Sequence, residues 1–74
     1  MRNDPHVDEI AIGPNGIRLG QLLKLVDIAA TGGAAKDLLT SGLVRVNGDV
    51  ETKRGRQLHT GDTVSCAGKE VRLT

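Results

Sequence analysis

Phenylalanine, tyrosine and tryptophan are all missing from this chain of 74 residues. Their absence excludes the modules that read single strands by stacking bases on aromatic rings: oligonucleotide-binding barrels, cold-shock domains and ribonucleoprotein-motif folds. Cysteine occurs once, at Cys66, so no internal disulfide can brace the chain and the fold rests on its own small core. No apolar run approaches the roughly 18–20 residues that cross a bilayer, and no membrane partner is expected. The stretch from Met1 to Asp8 is polar and lacks the apolar segment of a secretion signal. A lone thiol and no leader point to a reducing cytoplasm. The two histidines, His6 and His59, have no further ligands at metal spacing and read as surface side chains. Neither a metal nor any other cofactor is expected.

What is present is enough for one domain. The chain is 38% apolar and 26% charged, with ten basic and nine acidic side chains for a net charge of +1. That balance is uneven along the chain. Residues 1–10 carry Arg2 against Asp4, Asp8 and Glu9, whereas the remainder carries nine basic and six acidic side chains. The first nine residues therefore read as an acidic tail on a mildly basic body that spans residues 10–74. The tail leads into a strand at Ile10; contact of its acids with the basic surface is the alternative.

Periodicity outlines the body. Ile10 and Ile12 alternate about Ala11 as a short strand, and Gly13-Pro14-Asn15-Gly16 breaks it as a turn. From Ile17 the period lengthens, and Leu19, Leu22, Leu23 and Val26 form one stripe of a helix of about ten residues, leaving Arg18, Gln21 and Lys24 for water or a partner. Thr31 is a fitting N-cap for a second short helix whose apolar side is Ala34, Ala35, Leu38 and Leu39. Gly42 stands where helices end in a left-handed residue. Val44-Arg45-Val46 then alternates in, out, in, ahead of the hairpin signal Asn47-Gly48. A three-residue loop through Asp49 would pair Val46 with Val50 and keep both on the apolar face, so that register is expected. Val64 with Cys66, the turn Ala67-Gly68, and Val71 with Leu73 complete the sheet. The fold class is α+β, a single domain of two short helices followed by a small antiparallel sheet.

Catalysis has little material here. Cys66 alternates with Val64 and points inward as an inert thiol, and neither Ser41 nor Ser65 has a neighbouring base. No enzyme activity is expected. Gly13, Gly16 and Gly20 match no dinucleotide or phosphate-loop fingerprint. Gly32-Gly33 reads either as a tight interhelical turn or as main chain presented to an anion. The positive signal is basic: Lys53, Arg54 and Arg56 crowd into four positions after the Val50 strand, Arg45 faces outward beside them, and Arg18 and Lys36 add charge on the two helices. Such a set on one face neutralises phosphates and releases counterions.

These residues resemble a family. The run from Arg18 to Cys66 is similar to the small RNA-binding domain first seen in ribosomal small-subunit protein four, the S-four domain. Its pattern is present as Arg18-Leu19, Ala35-Lys36, Gly42-Leu43-Val44-Arg45-Val46-Asn47-Gly48 and Gly61-Asp62. Gly20 stands where the family usually has Asp, and Thr31-Gly32 where it often has Ser-Arg, which removes one expected phosphate contact. The Gly-Gly form with Ala-Lys resembles a compact stand-alone branch. The resemblance implies binding of structured RNA, ribosomal or transfer RNA, without catalysis, with ribosome association within reach. A monomer is expected. Arg18 and Lys36 would hold phosphates from the helices and Arg45 from the strand, while Lys53, Arg54 and Arg56 would form a mobile basic loop. The alternative is a protein-interaction module that binds an acidic partner.

Overall fold

Period-two alternation and period-3.6 stripes separate into distinct layers in the structure, a computed structural model that describes residues 7–74. His6, Asp4 and the rest of the expected tail up to residue 6 lie outside the described residues. The elements run β1 (Val7–Ile10), β2 (Ile17–Arg18), α1 (Leu19–Leu25), α2 (Gly32–Thr40), β3 (Val44–Val46), β4 (Asp49–Val50), β5 (Gln57–Leu58), β6 (Thr63–Cys66) and β7 (Lys69–Leu73). One sheet has the order β1-β7-β6-β3-β4, and β2 with β5 makes a separate two-stranded ribbon.

The expected α+β layout is present, with a difference at one edge. Strands β4, β3, β6 and β7 are antiparallel, but β1 joins β7 in parallel, Asp8 opposite Val71 and Ile10 opposite Leu73. These two strands come from distant parts of the chain and share no hairpin, so no tight turn dictates their direction. The strand expected at Ile10 to Ile12 starts earlier, at Val7. Main-chain bonds carry the pairing onward, from Thr74 N–H to the Ile10 carbonyl at 2.9 Å and from Ile12 N–H to the Thr74 carbonyl at 3.1 Å.

Helix α1 is shorter than its apolar stripe suggests. Ile17 and Arg18 are taken by pairing with Leu58 and Gln57, and Asp27, with a left-handed φ of 61°, closes the other end. Asp tolerates that conformation better than most residues. Helix α2 begins as expected, with the Thr31 hydroxyl accepting the Ala34 N–H at 3.0 Å. It ends before Gly42, whose φ is 75°.

The β3–β4 hairpin corrects the expected register. Val46 pairs with Asp49 and Arg45 with Val50, so the loop has two residues and Val50 faces away from the core, 49% exposed. Asn47 and Gly48 have φ of 53° and 90°, the pair of left-handed residues a type I′ turn requires. That turn matches the strand twist. Its preference outweighs the burial of a single valine at the sheet edge.

The core lies between the helix pair and one face of the sheet. Leu19, Leu22, Leu23, Ala35 and Leu39 descend from the helices onto Val44, Val46, Val64, Cys66, Val71 and Leu73, with Leu58 closing one side. Among the described residues no polar or charged side chain is buried with them. Cys66 is buried as expected, and burial pushes its thiol above the ordinary range.

Candidate nucleic-acid interface

The first N–H groups of any helix lack partners within it. In α1 they are met from outside, Leu19 N–H by the Arg56 carbonyl and Gly20 N–H by the Arg54 carbonyl, both at 2.9 Å. At the same end Gln21 Oε1 accepts the Arg18 N–H at 3.3 Å. The basic segment after β4 is thus folded back against the start of α1. Glu51 shapes it from within: its carboxylate accepts the Thr52 N–H at 3.1 Å, the Lys53 N–H at 3.2 Å and the Arg56 guanidinium at 2.7 Å. The Arg56 hydrogen bond is the main reason that Glu51 is held below the usual carboxylate range, and Glu51 in turn raises Arg56. The loop expected to be mobile makes four hydrogen bonds within itself and two more to the start of α1.

Docking the loop here creates a groove of about 250 Å³. Arg18, Gln21 and Lys24 line it from the exposed side of α1, Arg54 and Gly55 from the loop, and Gly32 and Ala35 from the start of α2. The lining has no acidic side chain. Among the described residues none of Arg18, Lys24 and Arg54 has an ion-pair partner. Three cations therefore converge on one concavity whose remaining walls are small or uncharged. The arrangement attracts a polyanion and gives it several points of contact.

The six basic residues singled out in the sequence end up in different settings. Arg18 and Arg54 line the groove. Lys36 and Lys53 are exposed, each one residue from a lining residue, and do not line it themselves. Arg56 is engaged with Glu51. Arg45 is not brought to the groove: it projects from the sheet face turned away from the core, in a shallow depression with Leu43, Ser65 and Glu70. Lys24 is the cation that the sequence reading left out of the set. Its spacing of three from Gln21 and six from Arg18 held the signal, since all three fall off the apolar stripe together.

The motif residues Asn47 and Asp62 serve structure. Asn47 Nδ2 donates to Asp62 Oδ1 at 3.1 Å, Asn47 Oδ1 accepts the Thr63 N–H at 3.0 Å, and Asp62 Oδ2 accepts the His59 N–H at 2.9 Å. The His59 bond, then the Asn47 bond, lower the Asp62 carboxyl below its ordinary value. Among the described residues no cluster of three or more His, Cys, Asp or Glu is placed to hold a metal ion, and no helix is long and apolar enough to cross a membrane.

Known proteins are similar to this chain in sequence and in fold. The Bacillus subtilis (strain 168) chain named "probable ribosome maturation protein RlbA" is 44% identical over 59 residues, which span 80% of this chain and 83% of that one. YbcJ of Escherichia coli (strain K12) is 39% identical over 57 residues, 77% of this chain and 81% of its own. The solution structure of Escherichia coli YbcJ, described as revealing an alphaL motif involved in RNA binding, superimposes with a TM-score of 0.66 at 31% identity, covering 100% of this chain and 92% of that one. The family model for the S4 domain, the S-four domain of the sequence analysis, matches residues 10–74. With the model spanning the whole body and relatives aligned along most of their length, the chain belongs to the S4 domain family.

Proposed function

We propose that this protein is a non-enzymatic RNA-binding module that holds the phosphodiester backbone of a folded RNA in the groove between α1, α2 and the loop 51–56. The observation that carries the reading is the convergence of Arg18, Lys24 and Arg54 on one concavity with no acid in its lining. Counterion release on neutralising phosphates is the main sequence-independent source of nucleic-acid affinity. Lys36 and Lys53 extend the positive field at its margins, while Arg56 positions the loop through Glu51. Arg45 contacts RNA only where the ligand wraps round to the outer sheet face. A chain without aromatic rings recognises phosphates held in a fixed shape, which folded RNA offers and an unstructured strand does not. Ribosomal RNA, or transfer RNA, is the fitting target class, and the name of the Bacillus subtilis relative supports work on ribosomes in a cytoplasmic setting.

The test is fluorescence anisotropy of an end-labelled RNA stem-loop at several salt concentrations, with duplex DNA of equal length as control. The reading expects preference for RNA and an affinity that falls linearly with salt on logarithmic axes. Replacing Arg18, Lys24 and Arg54 together by alanine should abolish binding while the thermal midpoint holds. Undiminished binding by that triple variant would overturn it.

A further inference from the structure

We infer that RNA backbone is seated in this groove against bare main chain at Gly32 and Gly55, an assignment that rests on the RNA-binding reading above. A glycine costs a folded chain more backbone entropy than any other residue, so its presence calls for a reason. Five of the ten glycines have one in left-handed φ angles: Gly16, Gly42, Gly48, Gly61 and Gly68. Gly20 has another: a Cβ there would lie 3.2 Å from the Arg54 Cβ and 3.4 Å from its carbonyl oxygen, so the absence of a side chain lets the loop close on α1.

Gly32 and Gly55 fit neither account. Their φ angles are outside the left-handed region, and a Cβ built at either would meet nothing within 4 Å. Gly32 is moreover the first residue of α2, where alanine is the better helix former. Neither backbone angle nor crowding calls for glycine at these positions. A Cβ at Gly13 would also meet nothing, and one at Gly33 only Thr31 Oγ1 at 3.9 Å, but neither lines the groove, whereas Gly32 and Gly55 line it from two different elements, beside Arg18, Lys24 and Arg54. The space a methyl group would fill there is the space a ligand would occupy. A phosphodiester suits it, because it is compact, carries its charge at the surface and takes hydrogen bonds from main-chain N–H groups that no side chain screens. The lining offers bases no aromatic ring to stack on, and Gln21 is its one side-chain amide.

The experiment compares Gly32→Ala, Gly55→Ala and the double variant with Arg18→Ala, Lys24→Ala and Arg54→Ala, using the labelled RNA stem-loop and thermal melts. The expected result is a midpoint unchanged or raised in the glycine variants and a Kd raised about tenfold or more in the double variant. The salt dependence of their residual binding should match the wild type, because no charge has been removed. A double variant that binds within about twofold of wild type while the charge variants lose affinity overturns this inference alone. If the charge variants bind undiminished as well, the groove reading falls with it. A lowered midpoint in either glycine variant overturns it too, by showing that the fold itself requires the glycine.

Discussion

Asn47 holds two roles that only a few residue types combine. Its main chain takes a left-handed φ of 53° in the hairpin turn, and its side chain bridges that turn to Asp62 and Thr63 at 3.1 and 3.0 Å. Asn47→Ala keeps the turn short but leaves Asp62 and the Thr63 N–H without these partners, and places a Cβ-bearing residue in a conformation that it tolerates poorly. We expect a loss of about 1–2 kcal/mol, read as a thermal midpoint lower by roughly 5–10 °C, with RNA affinity retained at temperatures where the variant is folded. Loss of binding by a well-folded Asn47→Ala would instead place the residue in the interface. Asp62 makes the same clamp sensitive to acid. Its folded pKa lies below the ordinary value of 3.8, so the folded chain stays ionised where the unfolded chain takes a proton. The stability this supplies is intact above that value and is lost as pH falls through the folded pKa. Melts between about pH 5 and pH 2 should show a steeper decline for the wild type than for Asp62→Asn; parallel curves would remove Asp62 from the acid response.

At the scale of elements, the loop 51–56 and helix α1 form one unit, because the loop's carbonyls cap the helix and the helix holds the loop. Glu51→Gln removes the charge that gathers Thr52, Lys53 and Arg56. An exposed ion pair adds little to global stability, so the midpoint should barely move. Amide exchange at Leu19 and Gly20, protected by the Arg56 and Arg54 carbonyls, should quicken, and RNA affinity should fall severalfold as Arg54 leaves its place in the groove. Unchanged exchange would mean that the loop docks without its internal pair. This coupling was not legible in the sequence, where Lys53, Arg54 and Arg56 read as a free basic run and Glu51 drew no notice. Contacts between residues more than thirty positions apart leave no periodic trace. The elements themselves were legible, since the stripe Leu19, Leu22, Leu23 and Val26 and the alternation Val44, Val46 all turned out buried. Where pattern and turn chemistry disagreed, at Asn47-Gly48, the turn prevailed and Val50 faced outward. Lys24 lay in plain sight on the polar side of α1, but only the fold shows that Arg54 and Gly32 stand across from it.

Over the whole molecule the charges are sorted by position more than by number. Asp8 and Glu9 lie on the edge strand β1, where Lys69 and Arg72 of β7 face them at 4.0 and 3.7 Å. Lys69 also donates to the Val26 carbonyl at 2.9 Å, which places this acidic edge by the far end of α1 from Arg18. A helix of seven residues spans about 10 Å, close to one screening length at physiological salt. These two acids are therefore occupied locally and too distant to compete with phosphate in the groove. Asp8→Asn with Glu9→Gln should leave RNA affinity within about twofold of wild type at physiological salt. Affinity that tightens more than this would show that the acidic edge reaches the ligand. The cations divide in the same way. Three in the groove, with Lys36 and Lys53 at its margins, imply a logarithmic salt slope between about −2 and −4.5. Lys24→Ala should lower its magnitude by about 1. Arg45→Ala, on the opposite face of the sheet, should leave it unchanged, and an equal effect of both substitutions would mean that the RNA embraces the sheet as well as the helices.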